Sequence, residues 1–136
     1  DRHNEALQAP DEFMLIASFN PDYQKGWKEL KPSTRQRFVS LTMNYPPQDV
    51  EMEIIVAESR ADRQTAEKLV RFAAKIRALI ELGLAESAST RLLVDAAKLM
   101  ASGLSARLAC RVAIVEPLTD DADTAAALND LAALYF

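Results

Sequence analysis

The chain has little of three residue types on which much protein chemistry depends. Its 136 residues include 3 glycines, Gly26, Gly83 and Gly103, so neither a G-x-x-x-x-G-K-[ST] loop nor a G-x-G-x-x-G loop is present. The single histidine, His3, lies in a polar segment, which argues against histidine-based acid–base or zinc chemistry. The single Cys110 excludes an internal disulfide, and its apolar neighbours favour a buried, inert thiol over a reactive one. No apolar strand ends in an Asp–Glu pair that would hold magnesium, so a self-contained nucleotide hydrolase is excluded.

Long apolar runs and blocks of like charge are also absent. No apolar stretch reaches about 18 residues and no signal peptide is present, which predicts a cytoplasmic protein without membrane insertion. The net charge of −4 and the pI of about 5.0 argue against general nucleic-acid binding. Hydrophobic residues make up 49% of the chain and charged residues 26%, the mixture of a globular domain. Scarce glycine with abundant Ala and Leu favours helices.

Two segments in the first third of the chain are predicted to be strands. Phe13–Phe19 is an almost continuous apolar run that ends at Asn20-Pro21, as in a parallel strand buried on both faces. In Phe38–Tyr45 apolar and polar residues alternate, which predicts a strand buried on one face. Pro46-Pro47 closes it and marks the predicted domain boundary. We therefore expect an α/β region of about two strands in residues 1–46 and an all-α region of four to five helices in residues 47–136.

Helical spacing and end signals define the helices expected after that boundary. Glycine and proline supply the stops, and serine or aspartate supplies the caps. The predicted helices are one around Val50–Ala57, one over Thr65–Leu82 stopped by Gly83, one capped by Ser87 or Ser89 and running to Gly103, one over Ser105–Val115 cut by Pro117, and one capped by Thr119–Asp121 and running to Phe136.

Asn20 is the first candidate for a role in chemistry. It directly follows an apolar strand, at the carboxyl edge where parallel sheets bind ligands. Its amide is both donor and acceptor, so it can orient a water or contact a phosphate oxygen. Asn-Pro is also a common turn, and the spacing alone leaves both interpretations open.

Arg35 and Arg37 form the second candidate site, within Lys31–Phe38 (KPSTRQRF). Guanidinium groups match phosphate oxygens and stay charged, and an arginine from a neighbouring subunit can stabilise charge that develops in phosphoryl transfer. A solvated basic turn is the alternative interpretation.

Arg91 is the third candidate, because it falls in the first turn of a predicted helix after Ser89-Thr90. A cation there opposes the helix dipole at a cost of about 0.3–1 kcal/mol, which an anion at the helix start would relieve. An ordinary surface arginine is the alternative.

These sites and their order resemble the CbbQ/NorQ group of MoxR-type AAA+ ATPases, from about Glu5 to the C-terminus. The strings that carry the resemblance are Ser18–Gln24 (SFNPDYQ), Leu30–Val39 (LKPSTRQRFV), Ser89–Leu93 (STRLL) and Glu116–Asp123 (EPLTDDAD). The family's phosphate loop and magnesium-binding acidic pair are missing, so we expect the chain to be a fragment, or the ordered part, of a longer protein and to be inactive alone. The loop around Trp27 departs from the family; it either faces a neighbour or packs locally.

The resemblance implies a role for each candidate residue. Asn20 matches sensor 1, which positions the attacking water. Arg37 matches the arginine finger, with Arg35 near enough to hold that role instead. Arg91 matches sensor 2, which reaches from the helical lid to the phosphates. Residues 1–46 would then end an αβα nucleotide-binding core, and residues 47–136 would form the lid.

The resemblance also implies partners and cofactors for the parent protein. We expect an ATP hydrolase that uses ATP and Mg²⁺, assembles with itself into a ring, a hexamer, and works with a von Willebrand factor A-type adaptor. Its client is Rubisco, freed from inhibitory sugar phosphates, or nitric oxide reductase, readied by metal insertion, with a slight preference for Rubisco. A standalone helical interaction module is the alternative of another class. The acidic C-terminal part offers no basic helix-turn-helix, which argues against a DNA-linked function.

Overall fold

Helices make up the regular secondary structure in residues 8–18, 31–80 and 87–136, the parts of the chain that the computed structural model describes. In chain order these are α1 (Pro32–Arg35), α2 (Gln48–Ser59), α3 (Arg63–Ile80), α4 (Thr90–Ala101), α5 (Ala106–Cys110), a π-helical turn (Arg111–Val115), α6 (Glu116–Leu118) and α7 (Ala122–Ala133).

Contacts within the chain separate two units, Asp1–Thr42 and Met43–Phe136. The described part of the first unit contains α1, a single turn in which the Thr34 amide donates to the Lys31 carbonyl at 2.8 Å. The second unit contains α2 to α7 and a buried hydrophobic core. The division into a nucleotide-binding core over 1–46 and a lid over 47–136 concerns function and stays a prediction.

Neither predicted strand is present in the described residues. Residues 13–18 and 38–45 have no strand structure. The side chains of Phe13, Leu15 and Ile16 are 62–83% exposed, and Val39 is 93% exposed. A strand forms only when a neighbouring strand supplies its ladder of hydrogen bonds, and an apolar pattern in one segment does not specify that neighbour. The described residues therefore show the helical part of the predicted fold and not its α/β part.

The core of the second unit is built on one face of α3. Ala66, Leu69, Val70, Ala73 and Ile76 recur at spacings of three and four residues, and each is 0–1% exposed. Helices α2 and α4 pack against this helix and against each other, and α7 packs against α3 and α5. Burial of a side chain such as Leu69 or Ile76 contributes about 1.5–3 kcal/mol, so this face holds the helices together.

Helix α3 begins two residues before the predicted Thr65, because Asp62 caps it. The Thr65 amide donates to Asp62 Oδ1 at 2.7 Å. The hydrogen bonds from Thr65 lower the pKa of the Asp62 carboxyl below its usual value. The predicted stop of this helix, Gly83, lies outside the described residues.

Helix α4 ends as predicted, with Gly103 just beyond it. Gly103 has a φ of 102°, its amide donates to the Met100 carbonyl at 3.0 Å, and the Leu104 amide donates to the Leu99 carbonyl at 3.1 Å. This pair of bonds is the Schellman motif, which favours glycine because its residue after the cap has a positive φ.

The predicted helix over Ser105–Val115 is longer than expected, because the helical backbone runs from α5 through the π-helical turn into α6 and ends at Leu118, one residue after Pro117. Pro117 lies in the first turn of α6. The Glu116 amide donates to the Arg111 carbonyl five residues back, so the bonding register widens just before the proline. Pro117 has no amide hydrogen to donate, and it lies next to the last residue of the run, Leu118.

Helix α7 is capped by Asp121, one of the three residues predicted to cap it. The amide and the hydroxyl of Thr124 donate to Asp121 Oδ2 at 2.8 and 2.6 Å. Both bonds lower the pKa of the Asp121 carboxyl, and the bond from the hydroxyl has the larger effect.

Cys110 is fully buried, as predicted, and burial raises the pKa of its thiol to about 12. Among the helices of the described ranges, none has both the length and the apolarity needed to cross a membrane.

Candidate functional site

A buried ion pair lies where the start of α2, the end of α3 and the start of α4 meet. Arg77 donates from Nη1 to Glu51 Oε2 at 2.8 Å and from Nη2 to Glu51 Oε1 at 2.7 Å. The Glu51 side chain is 0% exposed and that of Arg77 is 16% exposed. Two parallel bonds between these planar groups fix the orientation of the side chains as well as their separation.

The same pair holds the segment that enters α4. The Thr90 hydroxyl donates to Glu51 Oε1 at 2.7 Å, and Arg77 Nε donates to the Ala88 carbonyl at 2.9 Å. One bond therefore lies on each side of Ser89, the residue that precedes α4. The start of α4 is tied to α2 through Glu51 and to α3 through Arg77.

Tyr45 completes the arrangement. The Arg77 guanidinium carbon lies 3.8 Å from the centroid of the Tyr45 ring, a close cation–π contact. Tyr45, Glu51, Arg77, Ala88 and Thr90 are called the Glu51 cluster below. Its members come from the segment before α2, from α2, from α3, from the segment that leads into α4 and from the first residue of α4.

Helix dipoles favour the two charges in the positions that they occupy. Glu51 is in the first turn of α2 and Arg77 is in the last turn of α3. Carboxylates are stabilised at helix N-termini and cations at helix C-termini. A buried carboxylate is costly unless its oxygens are occupied, and here Oε1 accepts two bonds and Oε2 accepts one.

Arg91 follows the cluster directly, in the first turn of α4, as predicted. Its side chain is exposed. The side chain of Ser89 makes no capping hydrogen bond, so the predicted cap at this residue is not formed. Arg91 is therefore an exposed cation at the start of a helix that hydrogen bonds connect to α2 and α3.

The other predicted site residues belong to the first unit. Arg37 is exposed, two residues after the end of α1, and its amide donates to the Thr34 carbonyl at 3.1 Å. Arg35 is the last residue of α1, and its side chain lies outside what the structure describes. Asn20 and Trp27 also lie outside the described residues. The roles predicted for these residues stay predictions.

Sequence reasoning missed the Glu51 cluster, although the pattern contains a signal for it. Glu51 shares a helical face with Ile55 and Ser59, both buried. Arg77 is four residues after buried Ala73, on the core side of α3. When the apolar face of one helix carries a charge and the apolar face of the next helix carries the opposite charge, the two residues are expected to form a buried ion pair.

Comparison with known proteins places the chain among a defined set of relatives. Residues 51–135 match the family model described as CbbQ/NirQ/NorQ C-terminal. The match begins at Glu51 and includes Arg77, Thr90 and Arg91.

Curated relatives align along nearly the whole chain. The denitrification regulatory protein NirQ of Pseudomonas aeruginosa is 50% identical over 135 residues, which are 99% of this chain and 52% of that protein. Protein NorQ of Paracoccus denitrificans is 48% identical, over 100% of this chain and 50% of that protein. Protein CbbQ of Hydrogenophilus thermoluteolus is 43% identical, over 100% of this chain and 51% of that protein. The chain thus spans about half the length of these relatives.

Proposed function

Because the chain belongs to the CbbQ/NirQ/NorQ C-terminal family, we propose that it supplies the sensing and lid portion of a ring-forming AAA+ ATPase. The parent protein binds ATP with Mg²⁺, assembles into a hexamer in the cytoplasm, and uses hydrolysis to remodel a client with the help of a von Willebrand factor A-type adaptor. Residues 1–46 complete the nucleotide-binding αβα core and residues 47–136 form the lid.

The observation that carries this proposal is the position of Arg91. An exposed arginine at the start of α4, next to a buried and hydrogen-bonded cluster, is suited to bind a phosphate. In this role Arg91 is sensor 2, and it couples the state of the nucleotide to the position of the helical unit.

Two further residues act on the same nucleotide in this proposal. Arg37, exposed after α1, is the arginine finger and stabilises charge on the phosphates bound by the adjacent subunit, with Arg35 as the alternative. Asn20 is sensor 1 and orients the attacking water through its amide. Each side chain acts through polar atoms that its substitution by alanine removes.

Turnover by the full-length protein tests these roles. Arg37→Ala is expected to abolish ATP hydrolysis and leave ATP affinity nearly unchanged, because the finger acts on the transition state in a neighbouring site. Arg91→Ala is expected to weaken ATP binding. Lys31→Ala and Arg107→Ala, which remove exposed cations from the same two units, are the matched controls.

Mixed rings separate a finger that acts between subunits from a residue of the subunit's own site. Arg37→Ala subunits are mixed with subunits whose phosphate loop is disabled, each variant being inactive alone. Partial recovery of turnover in the mixture is expected, since some interfaces then combine an intact loop with an intact arginine. If turnover does not recover in the mixture, Arg37 is not the finger. If the full-length protein binds no ATP, the alternative of a helical interaction module is favoured.

The client is either nitric oxide reductase or Rubisco, and the two alternatives have equal support. Relatives named NorQ and denitrification regulatory protein NirQ favour the first, and the relative named CbbQ favours the second. The full-length protein with its adaptor is assayed for recovery of sugar-phosphate-inhibited Rubisco and for activation of nitric oxide reductase. ATP-dependent activation of one enzyme and not the other assigns the client.

A further inference from the structure

We propose that Thr90, Glu51 and Arg77 are positioning residues that fix the start of α4 and thereby set how well Arg91 contacts ATP. The proposal rests on the sensor role proposed for Arg91. It adds that nucleotide affinity depends on three residues that do not touch the nucleotide. They act through a chain of hydroxyl, carboxylate and guanidinium groups at the start of α4.

The bonds of the cluster constrain the helix start on both sides of Ser89. The Thr90 hydroxyl is held by Glu51 at 2.7 Å and the Ala88 carbonyl by Arg77 at 2.9 Å. Because Glu51 and Arg77 also hold each other through two bonds, the first turn of α4 has one preferred position relative to α2 and α3.

The helix start needs this constraint because its local cap is absent. The Ser89 side chain makes no capping bond, and a cation in the first turn opposes the helix dipole. Both features favour fraying of the turn that carries Arg91. Arginine has a long side chain with many rotamers, so movement of its backbone adds directly to the entropy lost on binding a phosphate.

A charged cluster does this better than apolar packing would. Apolar contacts are non-directional, whereas bidentate hydrogen bonds are lost with a small rotation of either partner. The cluster therefore opposes small movements of the α4 start as well as its complete displacement. Glu51 is 0% exposed, so water does not replace its lost bonds at low cost.

Thr90→Val in the full-length ATPase is the variant that tests this proposal, because it removes the hydroxyl and keeps the shape. We expect the KM for ATP to rise on the order of threefold to tenfold, with a smaller change in kcat. Thr90→Ser restores the hydroxyl and is expected to restore most of the affinity. Ser102→Ala removes a hydroxyl that donates to Leu99 at the other end of α4, and it serves as the matched control, with an unchanged KM expected.

Combination with Arg91→Ala distinguishes positioning from a general loss of stability. If Thr90 acts through Arg91, Thr90→Val is expected to have no further effect on KM in the Arg91→Ala protein. Glu51→Gln, which weakens the same hydrogen bond, is expected to show the same dependence on Arg91. An effect of Thr90→Val that is equal with and without Arg91, or an unchanged KM in Thr90→Val, would overturn the proposal.

The sensor role itself is tested by Arg91→Ala alone. If this variant keeps the KM of the unmodified protein, both the role of Arg91 and the positioning proposal are wrong. If it raises KM while Thr90→Val and Glu51→Gln do not, the sensor role stands and only the positioning proposal fails.

Discussion

Arg77–Glu51 and Arg111–Glu116 are two arginine–glutamate ion pairs of the second unit, one buried and one exposed. Their shortest nitrogen–oxygen distances are similar, 2.7 and 2.9 Å. The side chains of the first pair are 16% and 0% exposed, and those of the second are 58% and 51% exposed. The distances in the two pairs are therefore similar, whereas burial and the number of hydrogen bonds differ, two for the first pair and one for the second.

The two pairs also differ in what they connect. Arg77 and Glu51 are 26 residues apart and join α3 to α2, with Thr90 adding the start of α4. Arg111 and Glu116 are 5 residues apart within one continuous helical run. A buried pair leaves a charge without a partner if one member is lost, whereas water solvates the survivor of an exposed pair. The difference predicts unequal effects for the same substitution.

Glu51→Ala is expected to have the largest effect on stability. It leaves the Arg77 guanidinium largely buried without its carboxylate and frees the Thr90 hydroxyl, at a cost of about 3–5 kcal/mol. Denaturant unfolding of the full-length protein, followed by helical circular dichroism, measures the loss. Glu116→Ala is the matched control, and an equal loss in the two variants would contradict the view that burial controls the energy of the pair.

The helices around these pairs could be predicted from sequence better than the pairs themselves. The spacing of Leu69, Ala73 and Ile76 predicts the buried face of α3, and Gly103 predicts the end of α4, since both depend on neighbours along the chain. The bond between Glu51 and Thr90 spans 39 residues, and no local pattern specifies it.

The predictions that differ from the described residues have physical causes of the same kind. The apolar run at residues 13–18 predicts a strand, but a strand requires a partner, and the described residues contain no strand. Pro117 predicts a helix end at Val115, but the helical backbone continues through a π-helical turn and ends at Leu118. Arg91 could be placed in a first helical turn from sequence because Ser89-Thr90 precedes it. The pattern that places Glu51 and Arg77 on buried faces does not say that they bond to the start of this turn.

Asp121 extends the comparison to an exposed carboxylate that accepts its hydrogen bonds from a neutral residue, Thr124. The bonds from Thr124 lower the pKa of Asp121 in the folded state. The stability that Asp121 supplies is therefore fully present above its unfolded pKa, near the usual value of 3.8. This stability is lost as the pH falls through the lower folded-state pKa. Asp121→Ala is expected to lower the melting temperature by a few degrees at neutral pH, an intermediate effect, and to have less effect as pH falls below 3.8.

Asp120→Ala is the control for this pH dependence, because Asp120 is exposed next to the cap and is not the residue that accepts from Thr124. It is expected to change the melting temperature little at either pH. Thermal scans of both variants at neutral and acidic pH make the measurement. A loss in Asp121→Ala that persists unchanged in acid would assign the effect to something other than the ionised cap.

Arg111→Ala is expected to have the smallest effect and to complete the comparison. Both members of this pair are more than half exposed, so their attraction is screened, and its loss is expected to cost about 0–1 kcal/mol. A double-mutant cycle of Arg111→Ala and Glu116→Ala measures the coupling energy of this pair, which is expected to fall as salt is added. A cycle through Glu51 and Arg77 is expected to keep most of its coupling energy in salt. Equal salt dependence in the two cycles would show that the Glu51 cluster is open to solvent, and a cluster open to solvent would lack the rigidity that positioning Arg91 requires.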